Sequence, residues 1–364
     1  MSRPTVRDDV ALMDGYHSPQ LDVAVRLNTN EAPDPPPAKF VVALQQALAD
    51  IDWHRYPDRS ATVLRSRIAE IERDQVPGGV TPANVFAANG SNEVLQSLCL
   101  AYGGAGRSVL TFEPTYALHT HIAKVTGTAT VEVARNDDFT LDAGIASEAI
   151  RSARPSITFL CSPNNPTGRV EDPDLVEAVL DATESVDGLL VVDEAYGQFS
   201  PVSALRLVDE ARSLVVTRTY SKTWSAAALR LGYLIGPTWV VDQLEKVVLP
   251  YHLDAFTQIA GTVALDFRTE MEARVARLVE ERGRVAEGLA ALPVEQWPSG
   301  ANFILFRPTG RDGAVVWQDL VDRSILVRNC STWPGLDGCL RVTLGTAAEN
   351  DAFLAALTEV LTGA

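Results

Sequence analysis

Three short segments of this 364-residue chain place polar, reactive side chains directly after apolar, β-branched runs. The last of them is Thr219-Tyr220-Ser221-Lys222-Thr223-Trp224, with Arg230 eight residues beyond the lysine. A lysine at the end of a buried strand is either a surface group whose stem lies on apolar atoms or an amine from which burial removes the proton. The second is Val191-Val192-Asp193-Glu194-Ala195-Tyr196, where Asp193 follows a run that should be buried. A carboxylate there needs a cationic or hydrogen-bond-donating partner, or serves as a helix cap. The first is Ser162-Pro163-Asn164-Asn165-Pro166-Thr167-Gly168. Taken alone it reads as a turn, because Asn, Pro and Gly are turn residues.

The three together compose one chemistry. A lysine amine that has lost its proton condenses with an aldehyde. An aspartate facing a pyridine nitrogen keeps that nitrogen protonated and makes the ring a better electron sink. Asn165 and Tyr196 can hydrogen-bond a phenolate oxygen on such a ring. Ser221 and Arg230 can hold a phosphate, joined by backbone amides at the start of a helix. Ala88-Asn89-Gly90-Ser91-Asn92-Glu93 supplies such a start, a glycine turn between an apolar run and a helical pattern.

On these residues the chain resembles the fold-type-I pyridoxal-phosphate aminotransferases, and within them the histidinol-phosphate aminotransferase family. The narrower resemblance rests on Leu27-Asn28-Thr29-Asn30-Glu31, Arg55-Tyr56-Pro57-Asp58, Asn89–Glu93 and Pro114-Thr115-Tyr116, with Leu249-Pro250-Tyr251-His252-Leu253 and Leu340-Arg341-Val342-Thr343 further on. It runs from residue 16 or so to the end. It implies pyridoxal 5'-phosphate as cofactor and a set of roles. Lys222 is the Schiff-base lysine and the base that moves the proton between Cα and the cofactor's C4′. Asp193 pairs with the ring nitrogen, Asn165 and Tyr196 bond O3′, and Tyr116 packs on the ring. Ser91, Asn92, Ser221 and Arg230 surround the phosphate, joined by Tyr56 from a partner subunit of a homodimer. Arg341 holds the anionic end of the substrate, and Tyr16, Tyr251 and Asn30 line its pocket. The chain departs from the family at Ala226-Ala227-Ala228, where Leu-Ala-Gly is common. The reaction implied is transfer of the amino group of L-histidinol phosphate to 2-oxoglutarate in histidine biosynthesis. An aromatic (phenylalanine) aminotransferase and a phospho-amino-acid decarboxylase are the alternatives on the same scaffold. A cofactor-binding regulatory module without turnover is a poorer match, since the roughly 25 residues before the first motif leave no room for a DNA-binding domain.

The elements that must carry these residues are legible in part. Apolar runs at Val85–Ala88, Ser108–Phe112, Thr130–Ala134, Ile157–Cys161, Leu189–Val192, Leu214–Thr217 and Leu231–Ile235 are each short enough for a buried strand. Helical patterns at Glu93–Ala101, Leu175–Ala182 and Val240–Val247 lie between several of them, the second announced by Asp172-Pro173. Strands alternating with helices predict an α/β fold with a mostly parallel sheet covered on both faces. Past Pro250 the pattern becomes α+β. A long amphipathic helix spans Glu270–Leu292, followed by strands at Phe303–Phe306, Ile325–Val327 and Leu340–Leu344 and a helix from Glu349. The expected organisation is an arm over 1–25, a large cofactor-binding domain with a seven-stranded sheet over 26–255, and a smaller α+β domain over 256–364.

Bulk properties narrow the partners. Lys and Arg total 31 against 47 Asp and Glu, a net charge of −16. That balance repels phosphate backbones, so no nucleic-acid partner is expected. No apolar run approaches the length of a membrane span, and Met1–Asp9 lacks the apolar stretch of a signal peptide. Four cysteines, none in a CxxC pair and none spaced with histidines as zinc ligands, predict reduced thiols, no metal and a cytoplasmic enzyme.

Overall fold

The computed structural model describes residues 4–13, 15 and 20–363. Its strands are β1 (Val25–Leu27), β2 (Val85–Ala88), β3 (Ser108–Glu113), β4 (Ala129–Ala134), β5 (Ile157–Cys161), β6 (Leu189–Asp193), β7 (Leu214–Thr219), β8 (Gly232–Ile235), β9 (Val294–Gln296), β10 (Phe303–Pro308), β11 (Ile325–Asn329) and β12 (Leu340–Thr343). Seven form one sheet in the order β2-β8-β7-β6-β5-β3-β4. All its neighbours are parallel except β8, which runs against both β2 and β7. This is the mostly parallel seven-stranded sheet the sequence predicts.

The inner strands of the sheet are buried on both faces because apolar residues follow one another along them rather than alternating with polar ones. Leu190 and Val192 of β6 enter one core cluster with Leu160, Leu214 and Val216. Leu189 and Val191 enter another with Phe159, Ile157 and Val215. Side chains alternate across a strand, so these are the two faces, each covered by helices. Each fully buried aliphatic side chain contributes roughly 1.5–3 kcal/mol. The helix Pro173–Glu184 starts as its sequence announces: the Asp172 carboxylate accepts from Asp174 N at 2.8 Å, and Pro173 sits at the first helical position.

The second sheet has the order β1-β11-β12-β10-β9. Its core draws Phe303 and Phe306 from β10, Leu278, Val285 and Leu289 from the helix Arg268–Ala290, and Phe353 and Leu357 from the helix Ala347–Thr362. This sheet is not built from C-terminal residues alone. Val25–Leu27 pairs in parallel with Ile325–Val327 as its edge strand. A strand of three residues has too few positions to show a period of two, and the sequence patterns gave no sign of it.

Candidate active site

Parallel pairing lines up the ends of the central strands, with Cys161 of β5 opposite Asp193 of β6 and Asp193 opposite Thr217 of β7. Beyond these carboxyl ends lies a cavity of about 430 Å³. Its wall combines strand ends of the large sheet, the segment Asn28–Glu31 that follows β1, and side chains of β11 and β12. Location and size are those of a small-molecule site in an open α/β sheet.

Lys222 sits in the single helical turn Tyr220–Thr223 that follows β7, opened by the Thr219 hydroxyl, which accepts from Ser221 N at 3.1 Å. Its Nζ donates to Thr29 O at 3.1 Å and lies 5.9 Å from the centre of the Tyr196 ring. Burial, with the Arg341 guanidinium next in weight, pushes the amine down to about 8, while Glu31 opposes and Arg230 adds to the lowering. The amine is therefore half neutral only slightly above neutral pH.

Asp193, 1% exposed, ends β6. One carboxylate oxygen faces His119 Nε2 at 3.0 Å; the other accepts from Ala195 N at 3.0 Å and Thr217 Oγ1 at 3.3 Å. His119 is fully buried and stacked on Phe159 at 4.7 Å. Its Nδ1 has no hydrogen-bond partner among the described residues, which assigns the ring proton to Nε2, toward the carboxylate. His119 has no part in the sequence reading. Its one local signal is its place three residues after Tyr116, on the same side of the chain, where the two rings meet edge to face at 5.5 Å.

Asn165 and Tyr196 both line the cavity. The Asn165 side-chain oxygen accepts from Arg341 Nη1, which turns its NH₂ the other way, and Arg341 Nη2 donates to Asn28 O at 3.0 Å. Tyr196 accepts from Asn30 Nδ2 at 2.8 Å, and burial pushes its phenol up to about 12. Asn30 adopts a left-handed backbone, φ 56°, and is tied twice to Thr343, through its amide N and its Oδ1. Its amide thus spends its bonds on Tyr196 and Thr343, and it holds the phenol in place. Asn164, the other amide of the turn, locks the loop through Thr115, Pro114 O and Thr167.

At the other end of the cavity a set of anion-binding donors converges. The helix Ser91–Tyr102 begins after Gly90, whose φ of +79° suits glycine. Ser91, Asn92, Ser221 and Arg230 line the wall here. Arg230 Nη1 lies 3.4 Å from Ser221 Oγ, and a Cβ on Gly90 would meet Arg230 Nη2 at 2.9 Å. Tyr116 donates to Asn92 Oδ1 at 3.2 Å. A helix start, two hydroxyls and a guanidinium around bare backbone suit a phosphate, and the buried Asp193 with no cation bonded to it suits a protonated ring nitrogen. The residues present fit pyridoxal phosphate. The alanine departure is accommodated, since the left-handed positions of that turn fall on Ser225 (φ 51°) and Arg230 (φ 50°) rather than on Ala226–Ala228.

Two expected residues lie elsewhere. Tyr56 and Tyr251 stack on each other at 4.5 Å, outside the cavity wall, and are 79% and 41% exposed. Tyr16 lies outside the described residues. Two residues of the wall that the sequence reading lacks are Arg328, at the end of β11, and Trp333, 5.2 Å from the Arg328 guanidinium. Arg328 is directly opposite Arg341 across the β11–β12 pair. Like charges in facing positions repel, and an anion between them relieves that repulsion.

A family model described as "Aminotransferase class I and II" matches residues 22–357. The histidinol-phosphate aminotransferase of Frankia casuarinae is 45% identical, covering 98% of this chain and 90% of its own. That of Mycolicibacterium vanbaalenii is 43% identical, over 98% of this chain and 95% of the relative. Among solved structures, histidinol-phosphate aminotransferase from Sinorhizobium meliloti in complex with pyridoxal-5'-phosphate has a TM-score of 0.83 at 23% identity, covering 94% of this chain and 92% of that one, and shares the fold.

Proposed function

The chain belongs to the class I and II aminotransferases, and on that footing we propose that it moves the amino group of L-histidinol phosphate to 2-oxoglutarate, giving imidazole-acetol phosphate and L-glutamate in histidine biosynthesis. Its cofactor is pyridoxal 5'-phosphate, which when bound supplies the carbonyl that receives the amino group and a ring that takes up electron density as the Cα proton leaves.

The side chains do the rest. Lys222, whose lowered pKa leaves a working fraction of neutral amine, holds the cofactor and then acts as the base at the substrate Cα. Asp193, oriented by His119 and Thr217, holds the proton on the ring nitrogen. Asn165 and the Tyr196 phenol, which stays protonated, donate to O3′, while Tyr116 covers the ring. Ser91, Asn92, Ser221 and Arg230 hold the phosphate. Arg341 and Arg328, facing each other across the strand pair, take the substrate anion, because guanidinium forks suit phosphate and carboxylate alike. Asn30 acts at the substrate wall by fixing Tyr196.

The single observation that carries this reading is that Lys222 and Asp193 meet in one cavity whose wall also carries Arg230 and the facing Arg328–Arg341 pair. A donor with both an amine and a phosphate matches such a cavity. We place the chain in a homodimer with Tyr56 reaching the cofactor phosphate of the other copy, and in the cytoplasm; among the described residues no helix is long and apolar enough to cross a membrane. The division is into an arm (1–25), a large unit (26–255) and a small unit (256–364), with Val25–Leu27 lent to the sheet of the small unit.

The test is kcat/KM for histidinol phosphate and for phenylalanine, each against 2-oxoglutarate. Histidinol phosphate should be favoured at least about tenfold, which asks for only about 1.4 kcal/mol of differential transition-state binding. Equal values, or a preference for phenylalanine, would replace this reading with the aromatic aminotransferase.

A further inference from the structure

The cavity wall holds one carboxylate with bonding capacity to spare. Two acidic side chains line it, Glu31 and Asp193. Asp193 is buried and already accepts from its neighbours on both oxygens. Glu31 is exposed, and its hydrogen bond is to Thr29 Oγ1 at 2.8 Å. Three of the four asparagine oxygens on the wall are taken, Asn30 Oδ1 by Thr343, Asn92 Oδ1 by Tyr116 and Asn165 Oδ1 by Arg341, and the fourth, Asn28 Oδ1, is buried and uncharged.

Thr29 also fixes how far Glu31 lies from the reacting amine. Its carbonyl accepts from Lys222 Nζ at 3.1 Å and its hydroxyl donates to Glu31 at 2.8 Å. Covalent geometry puts those two Thr29 oxygens no more than roughly 4.5 Å apart, so the carboxylate is within about 10 Å of the amine. From the amino nitrogen of a histidine-like donor to the far ring nitrogen is about 5 Å, and a hydrogen bond adds about 3 Å. The reach fits.

Charge points the same way. Arg230, Arg328 and Arg341 meet the anions of cofactor and substrates, and a carboxylate among them works against the dicarboxylate acceptor. The group in the proposed reaction that a carboxylate favours, apart from the amine itself, is an N–H-bearing imidazole. We propose that Glu31 receives the imidazole N–H of the amino donor and so sets the preference for an imidazole over a phenyl side chain. This rests on the histidinol-phosphate reading. The site is open to solvent, so the discrimination is nearer tenfold than the 10⁴ of a buried hydrogen-bonding pocket.

L-Histidinol and L-phenylalaninol differ in the ring alone and carry neither phosphate nor carboxylate, which makes them the probes. Their affinities are measured by calorimetry on holoenzyme of the wild type, Glu31→Gln and Glu31→Ala. The wild type should favour histidinol about tenfold, Glu31→Ala should lose that preference, and Glu31→Gln, whose amide oxygen still accepts, should keep part of it. Any effect of Glu31 on the Lys222 amine acts on both ligands and cancels in the ratio. A ratio in Glu31→Ala within about twofold of the wild type overturns the inference. The same preparations are assayed for histidinol phosphate turnover. Turnover with a ratio insensitive to Glu31 defeats this inference alone; a Glu31-dependent ratio without turnover defeats the reaction and leaves the imidazole contact standing.

Discussion

The Lys222 amine titrates near 8 because burial and Arg341 disfavour its charged form more than Glu31 restores it. Uptake of pyridoxal phosphate by cofactor-free protein, followed by visible absorbance, should therefore rise with pH and level off above about 8. Arg341→Met should move that midpoint upward, since it removes a cation that disfavours the protonated amine; an unmoved midpoint would reassign the cause. The same shift bears on stability. Between about 8 and the ordinary 10.5 the unfolded chain binds more protons at this position than the folded one, so its contribution rises with pH across that window. Asp193→Asn should still bind cofactor, because the phosphate donors are untouched, but lose roughly 10²–10³ in kcat, the scale of removing one preorganised electrostatic group. Wild-type turnover in the Asp193→Asn protein would dismiss the ring-nitrogen role.

Turns and strand ends decide where these groups sit. Gly90 is one case, with φ at +79° and Arg230 waiting 2.9 Å from where a Cβ would be. Gly232 of β8 is its counterpart, since a Cβ there would lie 2.2 Å from Ser91 N, so bare backbone on both sides lets strand, turn and helix start approach. Gly90→Ala should weaken pyridoxal phosphate binding by about tenfold, because a Cβ there pushes on Arg230 and φ 79° with ψ 165° strains a non-glycine residue by about 1–3 kcal/mol, shifting the helix start that carries the phosphate donors. An equilibrium titration showing unchanged affinity would contradict this. Such local devices are what a sequence displays. Val85–Ala88 and Ile157–Cys161 have the same ends in sequence and structure because continuous apolar runs bounded by polar residues mark both limits. Lys222, Asp193, Asn165 and Ser91 were legible because each closes such a run. The helix Ala143–Ala153 was not, since its buried face rests on the small residues Ala146 and Ser147 with Ile150, and no apolar run marks it. His119 was hidden for another reason, its meaning being a bond to Asp193 74 residues away. Arg328 is likewise defined by its cross-strand neighbour rather than by anything adjacent in the chain.

At the scale of the molecule, one face carries aromatic groups that a single copy leaves in water. Trp53 is 73% exposed, Tyr56 79% and Leu249 78%, with Trp53 against Phe256 at 5.2 Å and Tyr56 against Tyr251 at 4.5 Å. A two-fold dimer would cover them, and symmetric pairs are the commonest assembly. Mixing inactive Tyr56→Ala and Lys222→Ala proteins under subunit exchange should restore part of the activity, because half of the sites in a mixed dimer regain both groups. Mixed dimers verified by mass spectrometry yet still inactive would show that sites are not shared. The edge strand β1 has a different consequence, one of time. It pairs with β11, and Ala24 N reaches Ser324 Oγ across 300 positions of sequence. On the ribosome the strand must wait for its mate. Lys222 emerges 105 residues before Val327 (327 − 222), roughly 5–20 s earlier at ordinary elongation rates. Through that interval Thr29 and Asn30 have their partners Lys222 and Tyr196 in the emerged chain, but neither β11 nor Thr343. The wall of the cavity is thus completed only once the last sheet strands have been made.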